Sequence, residues 1–258
     1  MPATLSQTTR MPHGLTNAAP KQTMGNAHVP DPTFAALISL DYLNAGDLTA
    51  LALAGGGTLA QVASSLGGAG LLTSGAVAAT PQSASTPAAF QTNGKRMFMK
   101  WSGQVDSLLG TLQIGFFATP VANAQGVFIT SDTSGNLTLN VRNGTGLQTF
   151  PFPAACPLAA ATQVELGIEI DTQGNCFAFW NPTTGDQPDR GTIGAITNGI
   201  TNNGAPDGAV VGAYYQLNGV LQGLTLPTGL LQAGYAVIPS TAAARTLTTD
   251  FFVAAQHR

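Results

Sequence analysis

Glu169-Ile-Asp171 is the place in this sequence where two carboxylates stand at a spacing that chemistry could use. On a β-strand, side chains two apart share one face. Glu169 and Asp171 would then point the same way, and a third carboxylate three residues on would complete the nucleophile and acid of glycoside hydrolysis. That third position is Gly174, and the chain holds only two glutamates, Glu165 and Glu169. Retaining hydrolysis needs a second carboxyl close to the first. The pair therefore reads as a solvent-facing strand residue followed by a turn aspartate.

The other reactive side chains are as sparse. His13, His28 and His257 are the only histidines, and all lie in terminal segments, whereas a catalytic triad needs an imidazole held rigidly beside its nucleophile. Cys176 sits among apolar and aromatic residues and reads as core. With Cys156 it makes two cysteines, too few for a disulfide framework, and both are expected as reduced thiols. No His/Cys cluster has zinc spacing. Asp132 and Asp171 could hold calcium with backbone carbonyls, but an aspartate that starts a turn through its own side chain explains them more simply. Gly94-Lys95 lacks the earlier glycine of a phosphate loop. Trp101, Trp180, Tyr214 and Tyr215 could stack a sugar, although aromatic residues on strands more often fill a core. No metal, cofactor or catalytic residue is assigned.

Composition narrows the partners. Hydrophobic residues make up 44% of the 258, enough for a substantial core, while charged residues are 8%, against about 25% in an ordinary soluble domain. A surface short of Lys and Glu is easily desolvated against a partner. Nine basic residues and a net charge of −3 argue against nucleic acid; the one basic cluster is Lys95, Arg96 and Lys100. No run of eighteen apolar residues offers a membrane span, and the start of the chain lacks the apolar core of a signal peptide. Synthesis in a reducing cytoplasm is the expectation.

The elements that would carry these residues are strands. Residues 127–131 and 137–142 alternate apolar and polar around Asp132-Thr-Ser-Gly-Asn136, and the pattern recurs as 164–170 and 176–180 around Asp171-Thr-Gln-Gly-Asn175. Such turns between alternating runs predict antiparallel hairpins. Further strands are expected at 96–101, 112–118, 209–216, 230–237 and 246–255. Residues 34–43 are a short helix or a first strand. Between 34 and 80 the glycines at 55–57, 67, 68 and 70 favour short strands, with two helical turns at 58–66 as the alternative. Residues 81–92 read as a Ser/Thr/Pro/Ala loop and 185–207 as a long polar excursion. The whole predicts an all-β, antiparallel jelly-roll β-sandwich over residues 34–258; without αβ alternation, a nucleotide-binding parallel sheet is not expected.

Residues 1–33 differ from all of this. Prolines at 2, 12, 20, 30 and 32 remove backbone donors, and no apolar period of 3.6 or 2 runs between them. Such a segment is an extended N-terminal arm, a tail or an element ordered on another surface.

The arm also carries a resemblance. His13, Gly14, Leu15, Thr16, Asn17, Ala18, Ala19 and Pro20, then Met24 and Gly25, then Pro30, Asp31, Pro32 and Thr33 are similar to the opening of a family of tailed-phage virion proteins built on a concanavalin-like jelly roll. The Gly-rich stretch after Asp47, the strand 96–101, the segment from Leu166 to Trp180 and Arg245-Thr-Leu-Thr-Thr-Asp-Phe251 resemble its later landmarks. The plainer 34–42 departs from an aromatic- and Asp-rich segment there. The resemblance implies a non-enzymatic capsid decoration (cement) protein on the virion exterior, associating with itself as a homotrimer and with the major capsid protein through the arm, which would become ordered only in the assembled particle. The alternative is a carbohydrate- or receptor-binding virion module, such as a head fibre or tail component.

Overall fold

The computed structural model describes residues 34–42, 45–62, 68–119, 125–144, 146–152, 154, 156–172, 174, 176–182, 194–195, 201–202, 213–217 and 225–257, with backbone alone at 34–37, 45, 177, 179, 181–182, 194–195, 201–202 and 213–217. The strands of its first half are β1 Phe34–Leu40, β2 Ala52–Ala54, β3 Thr58–Gln61, β4 Gly70–Thr73, β5 Gln82–Ser85, β6 Met97–Val105, β7 Gly110–Phe117 and β8 Gly126–Ser131. Those of the second half are β9 Leu137–Asn143, β10 Gly146–Pro151, β11 Val164–Ile170, β12 Cys176–Pro182, β13 Gly194–Ala195, β14 Thr201–Asn202, β15 Ala213–Leu217, β16 Gln232–Pro239 and β17 Thr246–His257. One short helix, α1 Ala45–Thr49, stands among the described residues.

The strands form two large antiparallel sheets. The first runs β15-β12-β11-β6-β17-β4-β3, with β1 lying on the same edge of β17 as β4; the second runs β10-β9-β8-β7-β16-β5-β2. The period-2 patterns explain the layering. On β11, Val164, Leu166, Ile168 and Ile170 join the core between the sheets, while Glu165, Gly167 and Glu169 face outward. On β6, Met97, Met99, Trp101 and Val105 face inward. The second sheet answers with Leu112, Ile114 and Phe116 on β7, Val127 and Ile129 on β8, and Leu137, Leu139 and Val141 on β9. Each such side chain taken from water contributes about 1.5–3 kcal/mol before chain entropy is counted.

Both predicted hairpins form. In the first turn, Asp132 Oδ1 accepts the backbone N–H groups of Ser134 and Asn136 at 2.8 and 2.9 Å, and Oδ2 accepts Asn136 Nδ2 at 2.7 Å. The second turn closes through Gly174 N–H to the Asp171 carbonyl at 3.2 Å. Residues 34–40 are a strand, paired so that Phe34 faces His257, and the glycine-broken region gives the short strands β2, β3 and β4.

In the two large sheets, two strands differ from expectation; outside them, α1 stands where short strands were expected, and β13 and β14 fall within the expected excursion. Residues 82–85, expected within a loop, are the buried strand β5 between β16 and β2. Its Gln, Ser, Ala and Ser carry no apolar alternation, yet Ser83 and Ser85 lie opposite Ala236 and Gly234, where only small side chains are needed. β10, which no pattern announced, extends the 126–143 hairpin by one more strand.

A buried polar chain ties the sheets together. Trp101 Nε1 on β6 donates to Thr249 Oγ1 on β17 at 3.0 Å, Thr249 also bonds Tyr235 on β16, and the Tyr235 and Tyr42 hydroxyls lie 2.6 Å apart. Burial pushes the Tyr235 phenol up to about 12 and raises Tyr42 well above its ordinary value. Close approach requires glycine beside this chain: a Cβ on Gly70 would sit 2.8 Å from the Tyr42 ring, and one on Gly103 would strike the Trp101 indole.

Tyr235→Phe strands the Tyr42 hydroxyl in the core and is expected to cost about 1–3 kcal/mol in urea denaturation. The double variant with Tyr42→Phe should cost less than the sum of the singles, because both remove the same bond; strict additivity would show that the phenols do not interact.

Candidate functional site

The outward face of the first sheet gathers both glutamates of the chain. Alternation puts Phe98, Lys100 and Ser102 on the same side of the sheet as Glu169, Gly167 and Glu165, their respective partners in the β6–β11 ladder. Lys100 therefore stands opposite a glycine, with a carboxylate on either diagonal. It takes Glu165, Nζ to Oε2 at 2.8 Å. Arg96, just before β6, takes Glu169: Nε and Nη2 both reach Oε1, at 2.6 and 2.5 Å. Lys100 Nζ also lies 5.2 Å from the centroid of the Phe251 ring. Beside it Gln163 Nε2 donates to Ser102 Oγ at 3.0 Å and to Asp250 Oδ2 at 3.4 Å.

These pairs are half sunk into the sheet. Glu169 and Glu165 keep 14% and 12% of their side-chain exposure, with Arg96 and Lys100 near twice that. Burial raises the Glu169 pKa, Arg96 opposes the rise, and Asp171 adds a small push upward. Asp171 lies just past the end of β11, in the turn, and Gly174 holds a left-handed turn conformation, φ 83°, where the acid would stand. Glu169 presents one oxygen to two guanidinium nitrogens, so it serves as the anchor of an ion pair.

The remaining candidates resolve similarly. Cys156 and Cys176 are free, buried thiols pushed up to about 12 by burial. Asp132 has both oxygens occupied by its own turn, which holds its carboxyl below the ordinary value, the Asn136 side chain contributing most. No group of three or more His, Cys, Asp or Glu that could hold a metal occurs among the described residues, nor among them does any helix long and apolar enough to cross a membrane. Trp101 is fully buried, and Trp180 is 7% exposed with its Nε1 donating to the Pro157 carbonyl at 3.1 Å; both belong to the core, not to a sugar platform. Tyr214 and Tyr215 pair with Phe179 and Ala178 along β15, and their side chains lie outside the description. His13 and His28, the arm residues from 13 to 33 and most of 183–212 lie outside the described residues.

The carboxylate spacing was readable from the sequence, but Arg96 and Lys100 as partners were not, because they reach the glutamates only through the β6–β11 register. The basic cluster at Lys95, Arg96 and Lys100 was the available signal.

No protein-family model matches the chain, and no curated protein does. Solved structures do. A protein of unknown function from Shewanella oneidensis MR-1 aligns at 14% identity over 86% of each chain, TM-score 0.55. Lectin II from Ulex europaeus aligns at 10% identity over 87% of this chain and 100% of its own, TM-score 0.54. Arcelin-5, a lectin-like defence protein from Phaseolus vulgaris, aligns at 10% over 86% and 99%, TM-score 0.52. The fold is a lectin-like jelly roll. At these identities the likeness establishes the path of the chain, and the chemistry rests on the chain's own residues.

A carboxyl whose folded pKa is raised contributes its full stability below its ordinary value, near 4.5 for this group, and loses it as pH climbs through the folded value. The stability of wild type relative to Glu169→Gln should therefore shrink with rising pH between about 4 and 8 in denaturant titrations. The Arg96 interaction is already contained in that folded value, because the guanidinium favours the ionised carboxyl and only partly offsets its burial. A difference that grows with pH would contradict the assigned burial.

Proposed function

We propose that this jelly roll is a non-enzymatic structural module of a virion, a decoration protein that binds the outside of a phage head and bridges major capsid subunits. The observation that carries the reading is the use made of the glutamates: Glu165 and Glu169 are both held in ion pairs on the outer face of the first sheet. The scarcity of charge supports it, because a surface polar without being ionic is desolvated at low cost when it meets a partner. So does the resemblance of residues 13–20, 24–25 and 30–33 to the openings of phage decoration proteins. Residues 1–33 would span at most about 110 Å if fully extended, enough to cross onto a neighbouring subunit, with small residues such as Ala18 and Ala19 allowing close packing or strand addition. On this reading the protein also associates with itself, as a homotrimer.

A second reading is favoured by the lectin-like fold. One matched structure is a Ulex europaeus lectin complexed with galactose, and a carbohydrate-binding virion module would use the same sandwich. With Trp101 and Trp180 in the core, its stacking residues would have to come from elsewhere on the chain.

Co-sedimentation with head shells assembled without this protein separates the two. Full-length chain should pellet with the shells, and a chain lacking residues 1–33 should lose most of that binding. Equal binding by both would remove the arm from the mechanism. Failure of both to bind, together with a specific signal on a glycan array, would replace the first reading by the second.

A further inference from the structure

β10 forms one margin of the second sheet, bonded among the described residues to β9 alone. Its ladder is unbroken from Gly146 opposite Asn143 to Pro151 opposite Thr138, and Phe152 N–H continues it by donating to the Leu137 carbonyl at 2.8 Å. In an antiparallel strand the N–H and C=O of one residue point to the same side, and that side alternates along the chain. Gln148 and Phe150, in phase with Phe152, therefore serve β9. Leu147 and Thr149 aim both backbone groups at the open margin. Pro151 is in phase with them, and there its missing N–H takes nothing from the β9 ladder.

This margin is unusually undefended. Natural edge strands are blunted by charges, bulges, brevity or a cover. β10 has six residues, no charged side chain and no register shift, and Gly146, Leu147, Thr149 and Pro151 are all exposed, Leu147 at 48%. The opposite margin, β2, is only three residues long, and β3 at the margin of the first sheet is four.

We propose that β10 is a self-pairing edge: the β10 of a second copy docks antiparallel across a two-fold axis perpendicular to the sheet, making the two second sheets continuous. A second copy is the occupant because the strand is complementary to itself in hydrogen bonding and, being uncharged, carries no repulsion across the axis. Faces are preserved by that axis, so a residue meets one of its own parity. With Gln148 on the axis, Leu147 stands opposite Thr149 of the second copy, and the outward N–H and C=O groups of both residues exchange bonds. Gln148 meets its counterpart at a non-hydrogen-bonded position, with Cα atoms about 4.5 Å apart. This contact does not depend on the capsid reading.

Sedimentation velocity of the full chain over a concentration series tests it. Even-numbered species are expected: a dimer, or a hexamer if a three-fold contact also operates. Thr149→Pro deletes an outward donor that β9 does not use and should halve the mass; if that variant fails to fold, Thr149→Lys sets like charges near the axis and should do the same. Gln148→Cys should cross-link two copies under mild oxidation, because the expected separation lies within disulfide reach. Wild type that runs as a monomer or a trimer, a mass unchanged in a folded Thr149 variant, or no cross-link through position 148 would each overturn the proposal.

Discussion

The hydrogen-bonded chain from Trp101 through Thr249 and Tyr235 to Tyr42 is the interaction on which the rest of this structure depends. An apolar core between two sheets is non-directional, and sheets that meet only through it can slide. A buried polar group without its partner costs far more than a misplaced methyl group. Four polar side chains from β6, β17, β16 and the segment after β1 can be satisfied together only when those elements occupy one relative position. Because Trp101 and Thr249 stand on adjacent strands of the first sheet and Tyr235 on the second, the chain fixes the sheets in all three dimensions. Gly70 and Gly103 are consequences of it, since a Cβ at either would displace an aromatic ring of the chain.

Fixing β6 and β17 also fixes the outer face. Lys100 lies one residue before Trp101, so turning the indole inward turns the lysine outward, toward Glu165 and over Phe251. The ion pairs are thus set by the same register that seats the core aromatics. Half-buried ion pairs add little net stability once desolvation is counted, and the raised pKa of Glu169 is that desolvation made visible. What the pairs contribute is registration: a slip of β11 against β6 by one residue would put Glu165 and Glu169 into the core and Leu166 into water.

How much of this the sequence disclosed follows from where each signal resides. The hairpins around Asp132 and Asp171 were legible because turn chemistry and alternation lie within seventeen consecutive residues. The outward position of Glu165 and Glu169 followed from the strand period, whereas Asp171 falls past the end of β11. β5 was not legible, because Ser83 and Ser85 suit a strand only through Ala236 and Gly234, about 150 residues further on. Trp101 and Trp180 could be placed in the core only once β6, β11 and β12 were known to be neighbours. The partners of the glutamates were hidden for the same reason: Arg96 and Glu169 are 73 residues apart. Local turn chemistry was readable, and apart from β10, which pairs with its sequence neighbour β9, the failures concerned contacts between strands distant in sequence.

A sandwich with this economy of charge must manage its margins by other means. Lysines at edges and inward-pointing charges are the usual guards against sheet-to-sheet pairing, and a chain with 8% charged residues has few to spend there. It places both glutamates and two of its nine basic residues on one face. Among the described margins, three residues at β2 and four at β3 are too short to recruit a strand firmly, β15 has five, and the longer β1 is interrupted by a register shift. β10 departs from that economy, being regular, uncharged and open. A strand that keeps Leu147 and Thr149 aimed outward while its alternate residues satisfy β9 incurs no cost within the fold for remaining pairable. The same low-charge surface that eases desolvation elsewhere removes the electrostatic barrier at this edge, so one compositional choice serves both the face and the margin.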